Sequence, residues 1–69
     1  MSTGTIIANG QTVRAELPSS VEAFLIKQQL LPRSVVVEHN GEAVAPSQFA
    51  QRQLQDGDRI EIVRIVAGG

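Results

Sequence analysis

Hydrophobic and polar residues alternate over residues 11–17, with valine, alanine and leucine at the odd positions from 13 onward. This alternation predicts a strand with one buried face and one face in water. A short apolar run over residues 5–8 precedes it, and Asn9-Gly10 separates the two. Because both residues of an Asn-Gly pair accept positive φ, the dipeptide predicts a tight turn and therefore a β-hairpin.

Helical spacing follows the hairpin. Over residues 21–31, apolar side chains at positions 21, 24 and 25 recur on one helical face. Ser19 and Glu22 have the spacing of a capping box, in which two side chains satisfy free backbone N–H groups at a helix N-terminus. Pro32 pushes the residue before it out of the α region. The segment is therefore expected to form one helix of about three turns, an ordinary length.

The second half of the chain predicts short strands and a loop. Residues 35–39 form a β-branched run that predicts a well-buried strand. Asn40-Gly41 marks a second turn, which leads into the short apolar segment 43–45. Residues 46–55 are mostly polar and predict a short helical turn followed by a loop.

A long final strand completes the predicted order. It covers residues 59–66 and follows a turn at Asp56-Gly57-Asp58. A hairpin, a helix and a return of strands fold most simply as an α+β domain, in which a mixed sheet of four to five strands packs on one main helix. We expect a single domain over residues 1–66 and a flexible C-terminal tail over residues 67–69.

Composition narrows the classes of protein that the chain can represent. Its 69 residues support one small domain, because a chain of this length buries only about 60% of its unfolded surface. Six basic and seven acidic residues give a net charge of −1, and two residues are aromatic, so no nucleic-acid interface is predicted. The absence of cysteine excludes disulfides, thiol nucleophiles and Cys-based metal sites. No signal peptide or membrane span is predicted, and a cytoplasmic location is expected.

Candidate catalytic groups are few. His39 is the single histidine, and a lone histidine at a strand end is more often a surface or partly satisfied residue than a catalyst. Asp56 and Asp58 flank a glycine as in part of a calcium loop, but the remaining ligand positions are missing and a turn is the better interpretation. The internal glycines stand singly and form no phosphate-binding loop. No catalytic residue and no metal site are therefore predicted.

The predicted last strand distributes its side chains in an unusual way. Arg64 shares a face with the isoleucines at positions 60 and 62, whereas Val63 and Ile65 fall on the other face. Either a β-bulge changes the parity near Val63, or the outer face of the sheet carries an apolar patch. In the second case Val63, Ile65 and the adjoining Val66 are candidates for docking a protein partner, because small domains seldom leave such patches unused.

The sequence closes on Ala67-Gly68-Gly69. One interpretation is a frayed end without function. The other is a slim tail, extended from an anchored strand, that threads a narrow slot in a partner. A glycine carboxylate is the least hindered acyl group that a polypeptide can offer. On this interpretation Gly69 is the reactive residue, and Gly68 and Ala67 are the threading residues.

Three segments carry a resemblance to a known family. Residues 36–44, 46–50 and 56–69 read VVEHNGEAV, PSQFA and DGDRIEIVRIVAGG, and they resemble the ThiS family of sulfur carrier proteins of thiamine biosynthesis. All ubiquitin-like carriers share the final Gly-Gly, whereas the three segments together and in this order are more specific. The likeness covers nearly the whole chain. Phe49 departs from the pattern, since family members often have tryptophan there, but it preserves an apolar anchor.

The resemblance implies a β-grasp, or ubiquitin-like, fold and a carrier that is not itself an enzyme. A ThiF-type enzyme would use ATP to adenylate the carboxylate of Gly69. A sulfur donor such as a cysteine desulfurase would convert the adenylate to a thiocarboxylate, and thiazole synthase of the ThiG type would take that sulfur into the thiazole ring. No cofactor is expected to bind the chain itself.

Three other functions stay open at this point. The MoaD-like small subunit of molybdopterin synthase shares the fold and the activation chemistry, but it tends to be longer and often has prolines before its final glycines. Residues 64–67 contain no proline. A ubiquitin-like modifier shares the activated acyl group and would give conjugates of high molecular weight. A purely structural interaction module would tolerate removal of Gly69.

Overall fold

Seven strands and one α-helix make up residues 2–65, the part of the chain that the computed structural model describes. In chain order they are β1 (Ser2–Ala8), β2 (Gln11–Leu17), β3 (Ser19–Ser20), α1 (Val21–Lys27), β4 (Val35–His39), β5 (Glu42–Val44), β6 (Gln53–Leu54) and β7 (Arg59–Arg64). Two 3₁₀ turns, Pro32–Ser34 and Pro46–Gln48, precede β4 and follow β5.

The main sheet has five strands in the order β2-β1-β7-β4-β5. Strand β7 lies at its centre, parallel to β1 and antiparallel to β4. Two antiparallel hairpins, β1–β2 and β4–β5, therefore flank the strand that comes last in the chain. This arrangement confirms the predicted α+β class and the mixed sheet packed on one main helix.

The first hairpin forms as the sequence predicts. Asn9 and Gly10 have φ values of 50° and 80°, which are the positive values that the two-residue turn requires. The apolar residues of β2 are buried or half-buried and the polar residues between them are exposed. Strand β1 begins at Ser2 and pairs with β2 along its whole length, so it is longer than the apolar run 5–8 indicated.

A hydrophobic core lies between α1 and the inner face of the main sheet. Each large aliphatic or aromatic side chain that is fully removed from water contributes about 1.5–3 kcal/mol to folding. The buried members are Ile6, Leu17, Val21, Phe24, Leu25, Val35, Val37, Val44, Phe49, Leu54 and Ile60. Each of the five strands of the main sheet contributes at least one of these side chains, and β2 and β5 do so with their last residues, Leu17 and Val44.

The helix is shorter than its sequence pattern indicates. It ends at Lys27, after about two turns at 3.6 residues per turn, and the prediction of three turns is wrong. Gln29 takes a positive φ of 63°, and the N–H groups of Gln29 and Leu30 donate to the carbonyls of Ile26 and Leu25. This pair of bonds is a Schellman motif, which normally has glycine at the left-handed position. Because glutamine stands there instead, the sequence carries no visible stop signal before Pro32.

The N-terminal cap of α1 is also one residue later than predicted. The Ser20 hydroxyl accepts a hydrogen bond from the Ala23 N–H at 3.0 Å. The Ser19 hydroxyl instead donates to the Ser20 carbonyl at 3.1 Å, so the prediction of a capping box from Ser19 is wrong. Ser19 and Ser20 belong to β3, which pairs with β6, and this pairing fixes the backbone where the helix begins.

A second, two-stranded sheet formed by β3 and β6 was missed by the sequence analysis. Residues 46–55 do contain the expected turn, at Pro46–Gln48, but their end forms β6 instead of continuing as a loop. Strands of two residues are too short to show any alternation. Phe49 and Leu54 are both buried, as apolar anchors of this segment.

We expect Ser20→Ala to lower the free energy of unfolding by about 1 kcal/mol, because the Ala23 N–H loses its acceptor. Ser19→Ala is the matched control and should cost less than half as much, since the Ser19 hydroxyl makes no bond to a free helix N–H. Urea denaturation of the two variants measures the difference. A larger loss of unfolding free energy for Ser19→Ala than for Ser20→Ala would show that Ser19 caps the helix.

Candidate functional site: the outer face and the end of strand β7

The outer face of β7 carries exposed apolar side chains. Residues 60–64 pair with residues 35–39 of β4 in an unbroken antiparallel register, so a β-bulge near Val63 is wrong. Val63 is 63% exposed, and it lies directly opposite Val36, which is 53% exposed. Ile65 follows the strand at 52% exposure. The structure therefore has the apolar patch that was the second of the two alternatives.

Val36 belongs to this patch and was missed by the sequence analysis. Strand β4 was expected to be well buried, but its side chains alternate strictly between buried and exposed. The missed signal is its three consecutive valines. With a single helix to cover the sheet, three β-branched residues in a row must place one on the uncovered face.

Two glutamates extend the same face. Glu38 and Glu61 lie directly opposite each other in the β4–β7 register, two residues along each strand from the valine pair and therefore on the same face. Both are exposed. Like charges directly opposite across a strand pair lower stability. We call Val36, Glu38, Glu61 and Val63 the outer-face patch: an apolar pair adjoining an acidic pair.

The remaining predicted site residues lie outside the described part of the chain. These are Val66, Ala67, Gly68 and Gly69. The predicted boundary between a domain of residues 1–66 and a tail of residues 67–69 lies there as well.

The end of β7 is bordered by two small grooves. One of about 300 Å³ is lined by Asn9, Ile62 and Arg64, among others, and one of about 200 Å³ by Leu31, Arg64 and Ile65, among others. A larger groove of about 540 Å³ runs between β2 and α1, and neither Val63 nor Ile65 lines it. The predicted docking residue Ile65 is thus associated with the end of β7 and not with the groove between β2 and α1.

His39 lies at the other end of β7, where it is buried and hydrogen-bonded to other side chains. It is 7% exposed, and its Nε2 lies 2.7 Å from Asp58 Oδ2. Arg52 Nε donates to His39 Nδ1 at 2.9 Å, and the Arg52 guanidinium also pairs with Glu42. Of the two expectations for this residue, a surface position is wrong and a histidine satisfied by hydrogen bonds is what the structure shows. Its partners Arg52 and Asp58 are distant in the sequence, which is why they were not predicted.

The hydrogen bonds fix the role of the His39 ring. An arginine Nε–H can only donate, so Nδ1 must accept and the ring proton is carried by Nε2, which donates to Asp58. Neither ring nitrogen is free to take a proton from a substrate. The cluster therefore acts as a cross-link between β4, the segment before β6 and the start of β7.

The carboxylates of this cluster are stabilised in their charged form. Partial burial by itself would raise the pKa of Asp58, but hydrogen bonds from the Gln55 N–H and from His39 outweigh it and hold the pKa below its ordinary value. The hydrogen bond from Arg52 and its positive charge lower the pKa of the exposed Glu42. Within residues 2–65, no group of three His, Asp or Glu side chains is arranged to hold a metal ion.

The chain is similar to one protein family and to a solved structure. The model of the ThiS family matches residues 4–69. Among solved structures, the thiamine biosynthesis protein ThiS from Geobacter metallireducens has a TM-score of 0.80 at 25% identity, covering 94% of this chain and 99% of that one. This likeness confirms the expected β-grasp fold. No helix within the described ranges is long and apolar enough to cross a membrane.

Two curated relatives are thiazole synthases. Those from Paramagnetospirillum magneticum and Magnetococcus marinus are 38% and 33% identical over 64 and 61 residues, or 93% and 88% of this chain. The matched segments make up 20% and 19% of those proteins. The chain thus spans about a fifth of the length of the curated relatives it matches.

We expect acid to destabilise the fold partly through Asp58. Because its pKa is lowered in the folded state, its carboxylate contributes stability that is complete above the ordinary value of 3.8 and is lost as the pH falls through the lower, folded value. Asp58→Asn removes this titration. Its free energy of unfolding should therefore decline less steeply below about pH 4 than that of the parent chain, as measured by urea denaturation. Equal slopes would contradict the assigned direction.

Proposed function

This chain belongs to the ThiS family, and we propose that it is a non-catalytic sulfur carrier for formation of the thiazole ring of thiamine. The observation that carries the proposal is the family match, which runs through the last residue, Gly69. The likeness to thiazole synthases and to a solved ThiS structure supports the same pathway.

The chemistry takes place at the Gly69 carboxylate. A ThiF-type enzyme uses ATP: a carboxylate oxygen attacks the α-phosphorus, pyrophosphate leaves and an acyl-adenylate forms. A persulfide, supplied by a cysteine desulfurase, attacks the acyl carbon and AMP leaves. A second thiol then cleaves the resulting disulfide, and the chain is left with a terminal thiocarboxylate. The sulfur atom of the thiocarboxylate comes from the persulfide donor, in agreement with a chain that contains no cysteine.

The residue types at the tail suit this chemistry. Gly68 and Gly69 carry no side chain and Ala67 carries a single methyl group, so the three residues fit a slot that larger side chains would block. An unhindered acyl carbon is open to attack by a persulfide. The folded domain provides the surface that binds the partner enzymes, and the tail provides the reactive carboxylate.

Thiazole synthase is the proposed acceptor of the sulfur. In the two relatives of that name, a segment similar to this chain makes up about a fifth of the polypeptide. A carrier-like segment tethered to the rest of such a protein meets it at high effective concentration. The same pairing, with a thiazole synthase as the acceptor of the sulfur, is the proposal for this protein.

The outer-face patch, together with Ile65 and Val66, is the proposed docking surface for these partners. Val36 and Val63 offer apolar area, and the repulsion between Glu38 and Glu61 is relieved when a cationic side chain approaches both. We therefore expect each partner to present an apolar side chain beside an arginine or lysine. Charge complementarity of this kind sets the orientation and the rate of association.

We expect incubation with a ThiF-type enzyme, ATP and a persulfide donor to raise the intact mass of the protein by the exchange of one oxygen for sulfur, located at Gly69 by fragmentation. Removal of Gly69 should abolish the mass change and leave the circular dichroism spectrum unaltered, since a terminal tail contributes little packing. A parent chain that forms neither adenylate nor thiocarboxylate would contradict the proposed function. Covalent conjugates with other proteins would favour a modifier.

We expect Val63→Glu combined with Ile65→Glu to raise the Kd for the ThiF-type enzyme at least about tenfold, as loss of a central apolar contact does in other interfaces. Ile26→Glu is the matched control, because Ile26 is 59% exposed but lies on α1. Isothermal titration measures both. Unchanged binding by the double variant would remove the outer face from the interface, and loss of the fold would place these side chains in the core.

A further inference from the structure

The side chain of Asn9 continues the sheet where the backbone of β1 turns away. The parallel register of β1 with β7 consists of Ile7 opposite Arg59 and Ala8 opposite Ile60. Asn9 adds a backbone bond, from its N–H to the Ile60 carbonyl at 3.0 Å. Its side chain makes the next two hydrogen bonds to β7: Oδ1 accepts from the Ile62 N–H at 2.7 Å, and Nδ2 donates to the Ile62 carbonyl at 2.9 Å.

A carboxamide is well suited to replace a peptide group in a sheet. It carries a carbonyl acceptor and an N–H donor, as a peptide does. Asn9 sits in the tight turn of the β1–β2 hairpin with φ of 50°, so its own backbone is fixed. The side chain therefore extends the ladder along β7 as far as Ile62, while the chain itself reverses into β2.

Ile62 is held in this way just before β7 reaches its end. On the β4 side, Arg64 lies opposite Val35, and the Ile65 N–H donates to the Ser34 carbonyl at 2.8 Å. On the β1 side, the Asn9 amide holds Ile62. The direction of the strand at Arg64 and Ile65 thus depends on contacts from both neighbours, and on one side that contact is a single side chain.

We propose that Asn9 is a positioning residue for the C-terminal tail: by fixing β7 at Ile62, it sets the direction of the strand at Arg64 and Ile65, and thereby how accurately Gly69 is presented to the adenylating site. This inference rests on the proposed function. It separates two tasks, because the outer-face patch governs how tightly the carrier docks and Asn9 governs how accurately the docked carrier presents Gly69. Small displacements of a reacting group reduce rates far more than they reduce affinity.

The second Asn-Gly turn offers a matched control within the same chain. Asn40 has φ of 52° and its Oδ1 accepts from the Arg59 N–H at 2.8 Å. It therefore holds β7 from the other hairpin, at the start of the strand instead of near its end. Glycine accepts positive φ, so Asn9→Gly and Asn40→Gly each remove the side-chain bonds without straining the turn.

The test is the steady-state rate of carrier-dependent adenylation by a ThiF-type enzyme, followed as pyrophosphate release, at a temperature where all variants are folded. We expect Asn9→Gly to lower kcat about tenfold with KM for the carrier near the parental value, and Asn40→Gly to retain the parental kcat and KM. A purely structural role predicts losses of stability in both variants and parental kinetics in both. Parental kcat in Asn9→Gly, or equal falls in the two variants, would overturn the inference.

Two further measurements keep the result decisive. If Asn9→Gly does not fold, Asn9→Asp replaces it, because the carboxylate keeps an acceptor for the Ile62 N–H and loses the N–H donor. A kcat of Asn9→Asp below that of Asn40→Gly supports the inference. Equal kcat values in these two variants refute it. If the parent chain itself is not adenylated, the proposed function fails, whereas a parent chain that is adenylated with an unaffected Asn9→Gly variant refutes the positioning role alone.

Discussion

The pairing of β7 between β1 and β4 is the constraint on which the rest of the structure depends. Each hairpin forms from neighbouring segments, but within the main sheet the two hairpins are joined only through this last strand. Its partner β1 lies more than fifty positions earlier, since Ile7 pairs with Arg59. Loop closure over such a distance is costly in entropy and is compensated only when the complete sheet closes on α1.

Side chains reinforce this pairing at both ends of the strand. His39, Asp58 and Arg52 cross-link its start, and the two asparagines of the Asn-Gly turns bond its backbone from either side. Burial of one sheet face against a single helix leaves the other face uncovered. The same architecture that secures β7 therefore exposes Val36 and Val63.

Local signals in the sequence predict much of this fold. The Asn-Gly dipeptides and the alternation over residues 11–17 identify the first hairpin, and the order of segments identifies the α+β class. The parity of Val63 left two alternatives, a β-bulge or an exposed apolar face, and only the unbroken register with β4 decides for the second. The resemblance of the three quoted segments led to the family that the comparisons support.

Features that depend on distant partners could not be predicted in this way. Two-residue strands such as β3 and β6 have no period to detect, and they exist because residues 19–20 meet residues 53–54. The partners of His39 are 13 and 19 positions away. The helix stop at Gln29 uses a left-handed glutamine, for which sequence gives weak warning. Asn9 appeared in the sequence only as a turn residue, and its contact with Ile62 emerges from the assembled sheet.

In the proposed function, a tail without bulky side chains is joined to a folded domain that binds the partners. The sulfur carried at Gly69 becomes the sulfur of the thiazole ring. The direct test is to load the carrier with a heavy sulfur isotope, to add thiazole synthase and its remaining substrates, and to locate the isotope by mass spectrometry. The account predicts the isotope in the thiazole ring. A labelled carrier that gives unlabelled thiazole, or that passes its label to a pterin dithiolene instead, would contradict it.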